Sequence, residues 1–251
     1  MPRQARKQSA TGIYHIMVRG INRQRIFEDH EDCETFVSTL LRSKEKTGFA
    51  LYGYCLMGNH IHLLVQDKKS VALAMQSICS TYVYWYNGKY DRIGHLFQER
   101  YKSEAVETDA YLLTVLRYIH QNPVKAGLAN GVEGYPWSSY HEYTGQKSVV
   151  DTDFILGLFA TDEAAAKTQF VTYMNEMNQD LCLDYKEKHR LTDEEIIKLI
   201  REKYKVEQGM FHLVDIKELD VILKNLKSMN GITIRQLVRV TGISKFIVEK
   251  A

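Results

Sequence analysis

Apolar and polar positions alternate along residues 13–18, a stretch rich in β-formers, and so predict a first strand. Arg19-Gly20-Ile21-Asn22-Arg23 then reads as a polar turn. From about Asp29 to Lys46 the apolar residues Phe36, Val37, Leu40 and Leu41 recur at helical spacing, with Asp29 as the cap and Gly48 as the stop. Residues 49–56 and 60–65 predict two strands joined by Gly58-Asn59, a hairpin signal. Ser70 is placed to cap a second helix, whose Val71, Met75, Ile78, Tyr82 and Trp85 follow helical spacing to about Tyr86, where Asn87-Gly88 breaks it. A polar loop holding Gly94-His95-Leu96-Phe97-Gln98 leads to a strand at residues 102–107. Thr108 or Asp109 caps a third helix over residues 110–121, which is expected to stop before Pro123.

The order strand, helix, strand, strand, helix, strand, helix predicts an α+β fold, a ferredoxin-like antiparallel sheet with helices on one face and the other face open to a ligand. An aromatic, turn-rich segment, Gly134-Tyr135-Pro136-Trp137-Ser138-Ser139-Tyr140, follows. After about residue 150 strand signals fade and charged amphipathic helical patterns take over, as in Thr192-Asp193-Glu194-Glu195 opening a run through Ile196, Ile197 and Ile200. Two domains are expected, residues 1–150 and an all-α domain at residues 151–251.

Composition narrows the class. Of 251 residues, 45% are apolar and 25% charged, which fits an ordinary globular protein. No apolar run approaches the roughly 20 residues needed to span a bilayer. The N-terminal charges are not followed by an apolar core, so a secretory signal is not expected and the cytoplasm is. Cys33, Cys55, Cys79 and Cys182 are scattered without CxxC spacing, which predicts reduced thiols rather than a zinc site. The net charge of +2 says little, but its distribution says more: residues 1–150 hold 18 Lys and Arg against 14 Asp and Glu, and the rest 15 against 17. Arg3, Arg6, Lys7, Arg19, Arg23 and Arg25 occur before any acidic residue, a basic arm suited to phosphates or simply solvated.

The chemistry is concentrated in two short motifs. In His60-Ile61-His62 the two imidazoles share one face of a strand, roughly 7 Å apart by strand rise, and could chelate a divalent ion. Two solvent-facing histidines on a half-buried strand would have the same pattern. Downstream, Tyr118 and Asn122 lie one turn apart on the third helix. Asn122 offers a hard amide oxygen of the kind magnesium or manganese prefers, and a tyrosine hydroxyl beside such an ion could attack a phosphodiester. The plain alternative is a helix tyrosine packed on the sheet. His120, two residues from Tyr118, and His95 are left out of the metal set.

His60-Ile61-His62 together with Arg117-Tyr118-Ile119-His120-Gln121-Asn122-Pro123-Val124-Lys125-Ala126-Gly127 resembles the single-tyrosine HUH transposases, in particular the branch associated with repeated extragenic palindromes (REP). Met1-Pro2-Arg3, Tyr14-His15-Ile16-Met17-Val18-Arg19-Gly20, residues 94–103 and Trp137-Ser138-Ser139-Tyr140 resemble it too, over about residues 1–145. The resemblance implies an HUH nuclease core, with His60, His62 and Asn122 as ligands of one Mg or Mn ion and Tyr118 as nucleophile. Asn122 stands where insertion-sequence relatives often carry Gln. The implied reaction is cleavage and transfer of single-stranded DNA at a hairpin through a 5′-phosphotyrosine. Partners would be a single-stranded DNA hairpin and flanking DNA, with the protein a monomer or homodimer. The alternatives are a domesticated, non-catalytic DNA-binding regulator and a metal phosphodiesterase that uses water.

Arg19, Asn22, Arg23, Arg25, Arg100 and Lys102 are the candidate DNA contacts, with solvated surface charge as the plain alternative. Phe97 or Tyr101 could stack on single-stranded bases. Residues 233–248 resemble a helix-turn-helix of the kind that ends bacterial replication initiators, with Gly242 at the turn and Leu237, Val238, Ile243 and Val248 inside. Ser244 would cap the reader helix and turn Lys245 toward a major groove. Ala251 comes about two turns into that helix, so a truncated reader is expected. A plain helical hairpin would read similarly.

Overall fold

A computed structural model describes residues 7–67, 69–145, 148–184, 191–229 and 231–251. Arg3 and Arg6 of the basic arm lie outside the described residues, as does Met1-Pro2-Arg3. The chain divides into two compact units, Met1–Asp184 and Tyr185–Ala251.

In the first unit β1 (Ile13–Arg19), β2 (Ala50–Met57), β3 (His60–Gln66) and β4 (Lys102–Val106) form one sheet in the order β2-β3-β1-β4. Every pairing is antiparallel. The connecting helices are α1 (His30–Thr47) and α2 (Val71–Lys89), and α3 (Asp109–Lys125) follows β4. This is the expected ferredoxin-like α+β architecture. Directly paired residues point to the same face of a sheet. One face therefore carries His15, Met17 and Arg19 with His60, His62 and Leu64, Gly53, Cys55 and Met57, and Lys102 and Glu104. The opposite face carries Ile16 and Val18 with Ile61, Leu63 and Val65.

The helices do not share one face as expected. Tyr14 and Ser103, on the second face, line a groove with Val71 and Ala72 at the start of α2, and α1 packs along α2. α3 instead lies on the histidine face, where a Cβ on Gly53 would stand 2.6 Å from Leu116 Cδ1. The physical reason is that Met17, Cys55 and Leu64 on that face are almost fully buried, leaving it too apolar to be open to water.

Local capping explains most boundaries. Asp29 and Asp32 form a capping box at α1, Gly48 ends it at φ +78°, and Thr108 Oγ1 accepts from Tyr111 N at the start of α3. Three expectations change. Ser70 takes the N-cap position of α2 without a side-chain bond, because Asp67 Oδ1 accepts from Lys69 N and Ser70 N instead. α2 runs through Asn87-Gly88 to Lys89, where Lys89 is held by Asp29, Glu31 and Asp32. α3 runs through Pro123 to Lys125. Pro123 donates no hydrogen bond to the preceding turn, but its ring is buried, and that burial offsets the missing bond.

The expected boundary near residue 150 moves to 184. α4 (Tyr140–Thr144), α5 (Thr152–Gly157) and α6 (Glu163–Asn175) belong to the first core, with Ile155, Leu156, Phe170 and Met174 buried in it. Phe170 stacks on Tyr143 at 4.5 Å between centroids. The aromatic segment closes the edge of β2: Leu56 N bonds Trp137 O, Ser139 N bonds Tyr54 O, and Asp151 N bonds Leu51 O.

The second unit contains α7 (Asp193–Tyr204), α8 (Ile216–Ser228), α9 (Ile234–Thr241) and α10 (Lys245–Lys250). Capping boxes start α7 (Thr192, Glu195) and α9 (Thr233, Gln236), and Gly242 ends α9 at φ +72°. Leu237, Val240 and Val248 are buried, whereas Val238 and Ile243 are only partly so, and Ser244 makes no side-chain cap bond.

Gly20 ends β1 where the chain turns sharply, and a Cβ there would stand 2.3 Å from the Gln24 carbonyl oxygen. Gly20→Ala is expected to destabilise the first unit by about 1–3 kcal/mol. Both tryptophans, Trp85 and Trp137, lie in that unit, so the urea midpoint of tryptophan fluorescence should fall; an unchanged midpoint would show that the turn yields freely.

Candidate active site

The β1–β3 register sets Met17 opposite His62 and Arg19 opposite His60. His15, one pair along on the same face, reaches His62 diagonally: His15 Nε2 and His62 Nδ1 are 2.9 Å apart, and both residues are fully buried. His60 Nδ1 lies 2.7 Å from Asn59 Oδ1. The amide oxygen only accepts, so His60 Nδ1 carries the proton and His60 Nε2 keeps a lone pair. If His62 likewise donates from Nδ1 to His15, its Nε2 is also a lone pair, as the donor at Asn122 Nδ2, 3.3 Å away, requires. The two rings stand edge to face, 5.1 Å between centroids.

α3 closes the site from above. Tyr118 is 7% exposed, and its ring meets His62 at 5.7 Å and His15 at 5.9 Å, both T-shaped. Lys125 sits 5.3 Å from the ring centroid. The phenol donates to Asp184 Oδ2 at 3.1 Å. Asn122, one turn on, also acts on the titration of His60, which it raises, and of Tyr118, which it lowers. Its amide oxygen and nitrogen exchange places by a simple flip, so Oδ1 can face the histidines.

Burial sets the protonation of this cluster. It lowers His62 well below the ordinary histidine value, with His15 and His60 adding to the effect, and lowers His15 to about 3. His60 is lowered chiefly by burial too, against an opposing pull from Asp184. Neutral imidazoles with lone pairs are what a metal ion needs. Among the described residues no group of three His, Cys, Asp or Glu side chains is arranged to hold a metal. An ion at this site would therefore draw on the Asn122 amide beside the two histidines. Burial also raises the Tyr118 phenol, and the Asp184 carboxylate raises it further.

The candidate DNA residues divide. Arg19 and Lys102 lie on the histidine face, where Arg19 acts on His60 and burial lowers Lys102, with Glu99 and Asp184 acting against it. Asn22 and Arg23 are exposed in a tight turn with left-handed backbone, φ 49° and 62°, beside Asn59, whose Nδ2 donates to Arg23 O at 3.4 Å. Arg25 is exposed and pairs with Glu28 at 3.4 Å, away from the histidines in its contacts. Arg100 and His95 are exposed on the loop before β4, and Phe97 is half-buried where that loop bonds to Gly20 and Arg19. His120 is buried on the same helix as Tyr118, its Nε2 2.9 Å from Ser139 Oγ. Sequence reasoning missed His15 and Asp184. His15 stands two residues before Met17 in the right alternation, but its diagonal contact with His62 needs the strand register. Asp184 carries no local pattern at all.

Residues 8–122 match the family model described as "Transposase IS200 like", a match that spans all four strands and ends on Asn122. The likeness to IS200-like transposases is thus confined to the first unit and spans just under half of the chain. The chain is 28% identical over 120 residues to a Haemophilus influenzae protein described as a REP-associated tyrosine transposase, covering 42% of this chain and 67% of that one. A solved REP-associated tyrosine transposase bound to a REP hairpin superposes with a TM-score of 0.50 at 16% identity, covering 61% of this chain and 96% of that one. That likeness carries the fold. The sequence relatives are tyrosine transposases, which are DNA-cleaving enzymes of a family that is generally metal-dependent. Among the described residues no helix is long and apolar enough to cross a membrane.

Because burial lowers His15 and His120 to about 3, the folded protein refuses protons that the unfolded chain takes up near pH 6.5. Stability is therefore lost as pH falls from about 6.5 toward 3, by up to ~1.4 kcal/mol per pH unit for each histidine. The urea midpoint should drop between pH 7 and pH 5, and His120→Gln should flatten that drop. An equal drop in the variant would remove His120 from the account.

Proposed function

We propose that the first unit cleaves and rejoins single-stranded DNA at a hairpin through a 5′-phosphotyrosine on Tyr118. One Mg or Mn ion would be held by His60, His62 and Asn122. The observation that carries this reading is the convergence of the four side chains: the Tyr118 ring packs on His62, Asn122 Nδ2 lies 3.3 Å from His62 Nε2, and the His60 and His62 rings stand 5.1 Å apart. The hairpin is drawn from the structural relative, which is bound to a REP hairpin.

A bound ion would polarise the scissile phosphate and neutralise charge as it develops. The chain supplies everything else. His15 and Asn59 hold the two imidazoles in one tautomer and one orientation, the usual service of a partner behind a metal-binding histidine. Arg19 and Lys102 draw the anionic backbone to the histidine face, and Asn22 and Arg23 meet DNA on the adjoining turn. Arg25 and Arg100 are rim contacts at most. Tyr118 attacks phosphorus and releases a 3′-hydroxyl, conserving the phosphodiester energy so that a 3′-hydroxyl can later reseal the strand. The second unit, with its α9–Gly242–α10 helix-turn-helix and Lys245, would grip duplex flanks.

A phosphodiesterase using water, or a regulator with an idle site, would leave Tyr118 as packing. Labelled hairpin DNA incubated with the protein and manganese should give a covalent adduct on a denaturing gel. Tyr118→Phe should abolish the adduct, and paired His60→Ala and His62→Ala should abolish it while hairpin binding persists. An adduct that survives loss of the Tyr118 hydroxyl would overturn the reading. His15→Ala should weaken manganese binding by about 10–100-fold, measured by titration, with binding to the hairpin unchanged.

A further inference from the structure

The Tyr118 side chain is buried against the histidine face. A tyrosine that attacks phosphorus sheds its proton as the new bond forms. The histidines in contact with it are committed elsewhere if they bind an ion, Lys125 is a cation over the ring, and an amide such as Asn122 is no base. What remains in hydrogen-bond reach is Asp184 Oδ2, 3.1 Å from the hydroxyl that donates to it.

Asp184 is held there by its own chain. Residues 176–184 run as an extended strap from the end of α6 across α3. Arg117, the residue before Tyr118, grips the strap with Nε to Asp180 at 2.9 Å and Nη1 to Glu176 at 2.8 Å. Gln121 Nε2 donates to the carbonyls of Met174 and Glu176, and Leu183 N donates to Glu104. The strap is thus fastened to α3 by Arg117 and Gln121 and to β4 by Glu104, which holds the carboxylate at the nucleophile. Lys102 acts on it electrostatically, and Arg19 stands close to Lys102, so its charge does not face an incoming phosphodiester alone.

We propose that Asp184 is a further catalytic residue, the proton acceptor for Tyr118. The inference rests on Tyr118 being the nucleophile. As the Tyr118 Oη–P bond forms and the P–O3′ bond breaks, the phenolic proton passes to Asp184 Oδ2 and the departing 3′ oxygen takes a proton from solvent. In resealing, a 3′-hydroxyl attacks and loses its proton to solvent, the Oη–P bond breaks, and Asp184 returns its proton to the tyrosine.

Single-turnover adduct formation on labelled hairpin DNA with manganese tests this in the full chain. Asp184→Asn keeps the shape and an acceptor for the phenol but takes up no proton, so adduct formation should slow by about 100-fold or more. Manganese and hairpin affinities should be unchanged, and Asp184→Glu should recover part of the rate. A rate for Asp184→Asn equal to or above that of the wild type would overturn the proposal, a faster rate marking the carboxylate as a plug that DNA must displace. Tyr118→Phe run in parallel separates the two readings. Loss of the adduct there with an unaffected Asp184→Asn sinks Asp184 alone, whereas an adduct in Tyr118→Phe sinks the nucleophile and the proposal together.

Discussion

Because Met17 lies opposite His62 and Arg19 opposite His60, a slip of one residue between β1 and β3 would turn both histidines toward α1 and α2. It would also bring Ile61 beneath α3. The register is fixed by burial on both sides, since Ile16, Val18, Ile61, Leu63 and Val65 are sealed on one face and Met17, His62 and Leu64 on the other. β1 and β3 are the inner strands of the sheet, so each is held by a neighbour on both edges. The polar cluster is consequently mounted on the least deformable part of the unit, and His15 can serve His62 only because the two strands cannot slide.

α3 faces this platform under a different constraint. Gly53 leaves a gap that Leu116 fills, which lets the helix approach β2 closely. The same helix presents four kinds of side chain in one turn and a half: Arg117 to the strap, Tyr118 and Asn122 to the histidines, and His120 to Ser139 behind β2. A helical period of 3.6 residues separates these directions, so one segment can latch, react and anchor without conflict.

Much of this was legible in the chain. The four strands and three principal helices follow alternation and helical spacing, and the pairing of His60 with His62 on one face is dictated by strand geometry alone. Capping residues such as Asp29, Thr108, Thr192 and Thr233 carry local signals strong enough to mark their helices. What escaped depends on contacts between distant segments. Pro123 and Asn87-Gly88 are breakers by local propensity, yet tertiary burial and the Lys89 ion pairs carry both helices past them. The placement of α3 on the histidine face, the inclusion of residues 151–184 in the first core, and the joining of Asp184 to Tyr118 leave no periodic trace, because a strap and a covered face are read only from what they touch.

The closure of the β2 edge has a bearing on how copies of this protein could associate. Trp137, Ser139 and Asp151 occupy backbone groups along that strand, so the sheet cannot be extended there by another chain. Among the described residues β4 is the only strand whose outer edge lacks a backbone partner, and it is five residues long, with Lys102 and Glu104 in its sequence. A continuous intermolecular sheet would have to grow from this short, charged end, a poor template for promiscuous pairing and one that leaves any partner copy beside Lys102 and the histidine face.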